Sequence, residues 1–387
     1  MKILFLTPCD PAVKDGGGHV RSALLLRALQ SIGEVDTVVV NPYVKPYRND
    51  KDRVWCSTVK AVFRHNWRFS VFQLLSGFLR RMDWAFLERN DILKHLGCRE
   101  TDYDCTVIYR ITVAWSTAAW KIAPLYLDFD DLPSEAFQTI IRPKMTKIRG
   151  VVHLLLERWW ERFIARQCAG VWMSNPEKLC ALPTSVRKRT LRNIGNMPSV
   201  TYRIARYQTK VIAAIGTFGH QPNCEGLEWF LKEVWPRTIR AFPELELRIV
   251  GRIPARFEET TRRWSLNSGV RVLGFVDDVE KVYENALCTL AALHSGAGTS
   301  VKVIESALFG RTILATPFAC RGFTHDELGR LGVVVFNNAN DFVEELAKLI
   351  NESAEDREVR QRAILSYANA NYTFENFKSS VVEMLQK

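Results

Sequence analysis

Gly296-Ala297-Gly298-Thr299-Ser300-Val301-Lys302-Val303-Ile304-Glu305 combines residue types that could hold a phosphate. Glycines let the backbone approach a ligand closely. Thr299 or Ser300 can cap a helix start. Free N–H groups and the positive end of the helix dipole then point at an anion. Lys302 falls in the first turn, where a cation opposes the dipole; a bound anion would remove the conflict. Glu305 lies one turn further on and can reach the same mouth. By itself such a loop also fits an ordinary helix cap with a surface lysine and glutamate.

Other candidates lie in the first half. Asp15-Gly16-Gly17-Gly18-His19-Val20-Arg21 opens a helix after the strand Lys2–Leu6. About ten residues separate strand and glycines, too many for the dinucleotide fingerprint. A glycine loop near a ligand is the preferred reading, and a plain flexible loop the other. Arg110 ends the strand Cys105–Tyr109. Asp128 lies in the strand Leu125–Phe129, and Asp130 and Asp131 follow it. The C-terminal ends of parallel strands are where open α/β sheets bind ligands; caps and turns explain these aspartates equally well.

These residues need strands and helices in alternation to place them. The first half gives strand, glycine turn, helix and strand through Val40, then strands at Cys105, Leu125 and Gly170. After a polar linker near 199–209 a second series begins. Its strands are Val211–Gly216, Leu245–Val250, Val270–Gly274, Leu287–Leu293, Ile313–Ala315 and Val333–Phe336. A helix is expected over Gly226–Phe242, after a loop through Pro222 and Asn223. Three helices close the chain. Two alternating series imply two Rossmann-like α/β domains with a cleft between them.

Lys plus Arg exceed Asp plus Glu by 53 − 42 = 11 in a chain of 387 residues, which favours an anionic partner. The segment 67–96 is basic and amphipathic, with Phe69, Val71, Phe72, Leu74, Phe78, Arg80 and Arg81. Packing on its own domain is the preferred reading, and peripheral contact with an anionic membrane the alternative. His65 and His95 flank it as surface residues. The nine cysteines form no Cys-x-x-Cys pair, which argues against zinc and fits a reducing cytoplasm. No secretory signal or membrane span is expected.

Four ordered motifs then carry a family resemblance over roughly 211–323. They are Gly216-Thr217-Phe218-Gly219-His220-Gln221-Pro222-Asn223; Leu247-Arg248-Ile249-Val250-Gly251; Val272-Leu273-Gly274-Phe275-Val276-Asp277-Asp278; and the opening loop. Together they resemble the C-terminal domain of family 4 (group 1) glycosyltransferases. The resemblance implies a GT-B fold, with an acceptor-side domain over 1–200 and a nucleotide-sugar domain over 201–370. A helix over 371–387 would cross back to the first domain. It also implies a hexosyltransferase-type enzyme that retains configuration and needs no cofactor or metal. Its partners would be a nucleotide-sugar and a glycan or lipid-linked acceptor, at the cytoplasmic side or inner membrane face, with no nucleic acid. A sugar-nucleotide epimerase or hydrolase on the same fold, or a non-catalytic nucleotide-binding protein, are the competing readings.

By the same resemblance, Lys302 and the amides of Gly298, Thr299 and Ser300 would hold the diphosphate, and Glu305 the ribose hydroxyls. Gly274, Phe275 and Val276 would border the base, with Gly216, His220 and Asn223 lining the loop. Gly17, Gly18, His19 and Arg110 would approach from the first domain. Asp128 or Asp131 would stand where the family usually has a histidine. The first glutamate of the family's pair is Ala297 here.

Overall fold

The computed structural model describes residues 1–13, 17–41, 59–64, 93–94, 96–117, 124–141, 146–195, 209–255 and 258–386. Gly16, His65, His95, most of the basic segment 67–96 and nearly all of the linker 199–209 lie outside them. The chain forms two compact units, Met1–Arg192 with Phe374–Lys387, and Asn193–Thr373.

The first unit holds a seven-stranded sheet of order β3-β2-β1-β4-β5-β6-β7. Its strands are β1 (Lys2–Thr7), β2 (Glu34–Asn41), β3 (Val59–Arg64), β4 (Cys105–Tyr109), β5 (Leu125–Asp128), β6 (Gly170–Met173) and β7 (Lys188–Thr190). Every pairing is parallel. Ile3, Leu4, Phe5 and Leu6 are all fully buried, because a parallel sheet is covered on both faces. This is why Ile3–Leu6 of β1 reads as an unbroken apolar run. Helix Phe374–Leu385 also belongs to this unit. The Trp172 indole donates to the Ser380 carbonyl at 3.3 Å, and Arg187 donates to the Met384 carbonyl at 3.0 Å. The Arg27 guanidinium lies 3.9 Å from the Phe374 ring centre.

The second unit repeats the plan with six parallel strands in the order β10-β9-β8-β11-β12-β13. They are β8 (Val211–Ile215), β9 (Glu246–Val250), β10 (Val270–Gly274), β11 (Cys288–Ala291), β12 (Ile313–Ala315) and β13 (Val333–Val335). In both sheets the strand order reverses once, between β1 and β4 and between β8 and β11. Loops leaving neighbouring strands diverge at such a switch point, so the crevice there is open to a ligand.

Two expectations need correction. The helix expected from Gly226 begins at Gln221, with Pro222 in its first turn. Proline lacks the N–H that a helix start leaves unpaired, so it opens this helix where a loop was expected. The helix then passes through a π-helical stretch, Phe230–Val234, and ends at Ala241. Strands β3 and β7 were not anticipated. They are the edge strands of their sheet, and Lys188-Arg189-Thr190 lacks the apolar run that marks a central strand.

Gly226 fixes how this helix packs: a Cβ there would stand 1.7 Å from the Ala292 carbonyl oxygen. Gly226→Ala should therefore destabilise the second unit by about 3 kcal/mol through overpacking against backbone. Gly329→Ala, where nothing lies within 4 Å of an added Cβ, should leave stability within about 0.5 kcal/mol. Urea unfolding of the two variants checks the contrast.

Candidate active site

The opening loop emerges at the C-terminal edge of the second sheet, beside its switch point. Gly296 and Gly298 both take positive φ, 128° and 68°, which glycine adopts without strain. Arg321 holds the loop from below, donating to the Gly296 carbonyl at 3.2 Å and the Gly298 carbonyl at 3.4 Å. Its guanidinium stacks 3.5 Å from the centre of the Phe318 ring. Thr299 does not cap the helix: its hydroxyl accepts from the Asn193 amide at 3.0 Å. Ser300 stands at the N-cap of helix Val301–Leu308 without making the side-chain capping bond. Its hydroxyl oxygen is buried and has no hydrogen-bond partner among the described residues. A buried polar atom left in this way is costly unless a ligand supplies the partner.

Lys302 reaches back over the end of β8. Its ammonium donates to Asn223 Oδ1 at 2.8 Å, and the Asn223 amide donates to the Thr217 carbonyl at 2.9 Å. A Cβ at Gly216 would meet Lys302 Nζ at 3.0 Å, so a side chain there would press on the ammonium. Burial lowers the Lys302 pKa to about 8, with the Glu305 carboxylate pulling the other way. His220 is exposed at the N-cap of helix Gln221–Trp229 and makes no side-chain capping bond.

Glu305 is buried one turn beyond, accepting from the Tyr283 hydroxyl at 3.0 Å. Tyr283 stacks on Phe309 with ring centres 4.2 Å apart, and its carbonyl accepts from buried Arg311 at 2.7 Å. Ser306 and Thr289 share a 2.7 Å hydroxyl contact that ties the helix to β11. Gly195 closes on the same turn, since a Cβ there would stand 2.9 Å from Glu305 Cα. The carboxylate is thereby fixed by packing on several sides. At the end of β10, Gly274 takes φ 69° and Phe275 is exposed, 5.7 Å from the Arg252 guanidinium; Val276 is half-buried.

The first unit gathers its own candidates at its own switch point. Gly17 and Gly18 open helix Gly17–Gln30, and a Cβ on Gly18 would meet Cys9 Sγ at 3.0 Å and the Arg110 guanidinium at 3.4 Å. The His19 ring is bonded to the Asp10 carbonyl at 2.9 Å. Arg21 is buried and forms a bidentate pair with Asp128 at 2.7 and 2.9 Å. Burial works against the Arg21 charge, but the Asp128 and Asp130 carboxylates outweigh it and hold its pKa above the usual guanidinium range. Asp130 accepts from the Tyr109 hydroxyl at 2.9 Å and lies 3.5 Å from Arg110. Arg110 and Asp130 both take positive φ, 67° and 58°. Non-glycine residues in that region are strained, and such strain concentrates at functional sites. Asp131 is half-buried, and burial together with Asp130 raises its carboxyl pKa to about 8.

The sequence candidates therefore fall into two groups. Lys302, Asn223 and Gly216 meet directly, with Ser300 and Glu305 on the same helix. Gly18 and Arg110 meet in the first unit, while Asp128 is wholly engaged by Arg21. Sequence reasoning missed Arg21, Tyr109, Asn193, Tyr283 and Arg321. Arg21 stood in the quoted glycine segment; the others carry no local signal. Among the described residues no group of three or more His, Cys, Asp or Glu could hold a metal ion.

Residues 209–352 match the family described as glycosyl transferases group 1. No curated protein is similar enough in sequence to count as a relative. Solved structures are similar over the whole length. Sucrose-phosphate synthase from Thermosynechococcus elongatus superposes with a TM-score of 0.70 at 13% identity, covering 100% of this chain and 98% of that one. WaaG, a glycosyltransferase involved in lipopolysaccharide biosynthesis, gives 0.64 at 13%, covering 99% of each. HepE from Anabaena, in complex with UDP and glucose, gives 0.62 at 12%, covering 100% of each. The fold is GT-B, two Rossmann-like α/β halves. The second unit carries a group 1 glycosyltransferase domain, and the chain is a transferase enzyme.

Two outcomes are expected. Arg21→Ala should cost about 3–5 kcal/mol, because it strands a buried carboxylate; denaturant unfolding at neutral pH measures this. Lys302 gives up its proton near pH 8 in the free protein, below the ordinary lysine range, and a bound diphosphate would restore its charge. Nucleoside diphosphate binding should therefore take up protons from about pH 7.5 to 9.5, where the ligand's terminal phosphate is already ionised, and weaken as pH rises through that window. Calorimetry in buffers of different ionisation heat reads the uptake. Lys302→Met should abolish it, and no uptake by the natural protein would show that Lys302 is already charged before the ligand binds.

Proposed function

We propose that the chain transfers a sugar from a nucleotide-sugar donor to a glycan, lipid-linked or small-molecule acceptor, with retention at the anomeric carbon. The observation that carries this is Lys302, whose ammonium is held by Asn223 above Gly216 in the first turn of a helix whose Ser300 hydroxyl lacks a partner. Ammonium, hydroxyl and helix-start amides together form a receptor for a diphosphate. Glu305, oriented by Tyr283, takes the ribose hydroxyls. Gly274, exposed Phe275 and Val276 border the base, and His220 lines the loop. The UDP in the HepE structure makes uridine donors the first to test.

The charges then explain the chemistry. As the bond between the anomeric carbon and the diphosphate oxygen breaks, negative charge grows on the leaving diphosphate. Lys302 and the Gly298–Ser300 amides stabilise that charge without reorganising. The leaving phosphate takes the proton of the acceptor hydroxyl, so the step needs neither a metal nor a cofactor. The first unit supplies the acceptor side, with Gly17, Gly18, His19 and Arg110 as binding groups and Asp131 as its carboxyl. Asp128 positions Arg21. The product class is surface polysaccharide or another glycoconjugate, made on the cytoplasmic side or at the inner face of the membrane; the involvement of WaaG in lipopolysaccharide biosynthesis points the same way.

A thermal-shift panel of nucleoside diphosphates and nucleotide-sugars identifies the donor, since a ligand that binds only the folded state raises its melting temperature. With that donor, Lys302→Ala should lower turnover by about 10²–10³-fold, with the melting temperature within a few degrees. Unchanged turnover would sink the assignment. Release of free sugar without a transfer product would instead mark a hydrolase.

A further inference from the structure

A helix packed against its own domain normally carries apolar residues on the inward face alone. Helix Lys147–Gln167 carries them on both. Inward, Leu154, Ile164 and Ala165 are buried, and Glu161 accepts from the Ser134 amide and hydroxyl at 2.7 and 2.8 Å. Outward, Ile148 is 79% exposed, Val151 43%, Leu155 59%, Leu156 36% and Trp159 55%. Among the described residues these are five of the eleven exposed large hydrophobic side chains, so the clustering is not the ordinary scatter of a surface.

The row runs at spacings of three and four residues, about 16 Å along the helix at its usual rise. It continues into exposed Arg162 and Arg166, with exposed Arg158 on its flank. Arg162 keeps one N–H on the Ala181 carbonyl at 3.3 Å. The helix has two acidic residues and neither lies on this face. Glu161 is buried, and Glu157 pairs with His153 at 3.7 Å, which itself stacks on Phe137.

We infer that this face docks the first unit on an anionic membrane surface. The apolar row enters the boundary between headgroups and acyl chains, Trp159 sits at the interface, and the three arginines meet lipid phosphates. A second copy of the chain is the poorer occupant. A twofold contact would pair this face with itself, and the face brings three arginines and no carboxylate of the helix to neutralise them. The net charge of +11 attracts the chain to the same surface from a distance. The inference deepens the proposed function by naming where a lipid-linked acceptor is met, and rests on it for that acceptor alone.

Sedimentation of the full chain with vesicles tests the surface directly. Binding to phosphatidylcholine vesicles containing one-third phosphatidylglycerol should exceed binding to pure phosphatidylcholine by about tenfold, and fall in high salt. The double variant Leu155→Glu, Trp159→Glu should lose about tenfold in binding to the anionic vesicles with its melting temperature retained. Arg158→Gln, Arg162→Gln, Arg166→Gln should lose the preference for anionic lipid. Absence of binding by the natural chain, equal binding to both vesicles, or undiminished binding by the double variant would overturn the inference. So would a dimer in lipid-free solution that the double variant converts to monomer. The thermal-shift panel reads the donor site separately, so failure of either conclusion is seen without the other.

Discussion

An ammonium group at the start of a helix is electrostatically misplaced, because the helix end is already positive. In the second unit Lys302 occupies that position while partly withdrawn from water, and its depressed pKa records the cost. What keeps it there is local: one hydrogen bond to Asn223, and the missing side chain at Gly216. Much else in the unit serves this placement. Arg321 sets the loop that delivers the helix, Asn193 occupies the Thr299 hydroxyl, and the Thr289–Ser306 contact anchors the helix to the sheet. In the proposed function a diphosphate between the ammonium and the amides would remove that unfavourable field.

The first unit solves a related problem with opposite economy. Asp128 ends a buried strand and Arg21 lies on the neighbouring helix; paired, they satisfy each other away from water. The pair fixes the segment in which Asp130 and Arg110 take strained backbone angles. Arg110 is left partly exposed, its side chain at 43%, beside a carboxyl at Asp131 that burial keeps largely protonated at neutral pH. The Asp130 carboxylate, 3.5 Å away, is the ionised partner that faces Arg110.

Much of this was legible in the chain. The apolar runs of the central strands, the glycine loops and the Gly-x-Gly-Thr-Ser-x-Lys spacing are local features, and they carry the alternation, the fold and the position of the glycine-rich loop before its helix. Edge strands β3 and β7 were missed because an edge strand need not be apolar. The helix at Gln221 was begun late because Pro222 reads as a break, although it is favoured in a first turn. Tyr283 and Arg321 were invisible because their roles depend on residues 22 and 25 positions away in the chain.

The sequence by itself determined the order of elements, the glycines where the chain must turn left-handed, and the charge types near each loop. These follow from backbone sterics and burial, which act over a few residues. Only the tertiary structure decided which charges are spent and which remain. Asp128 and Asp131 are three residues apart and chemically alike. Yet Arg21, brought from 107 positions away, engages the first completely, and the second is held apart in a poorly solvated position. Whether a carboxylate is a strut or a reagent depends on the dielectric and the partner around it. Both are properties of packing between distant segments, which no local pattern encodes.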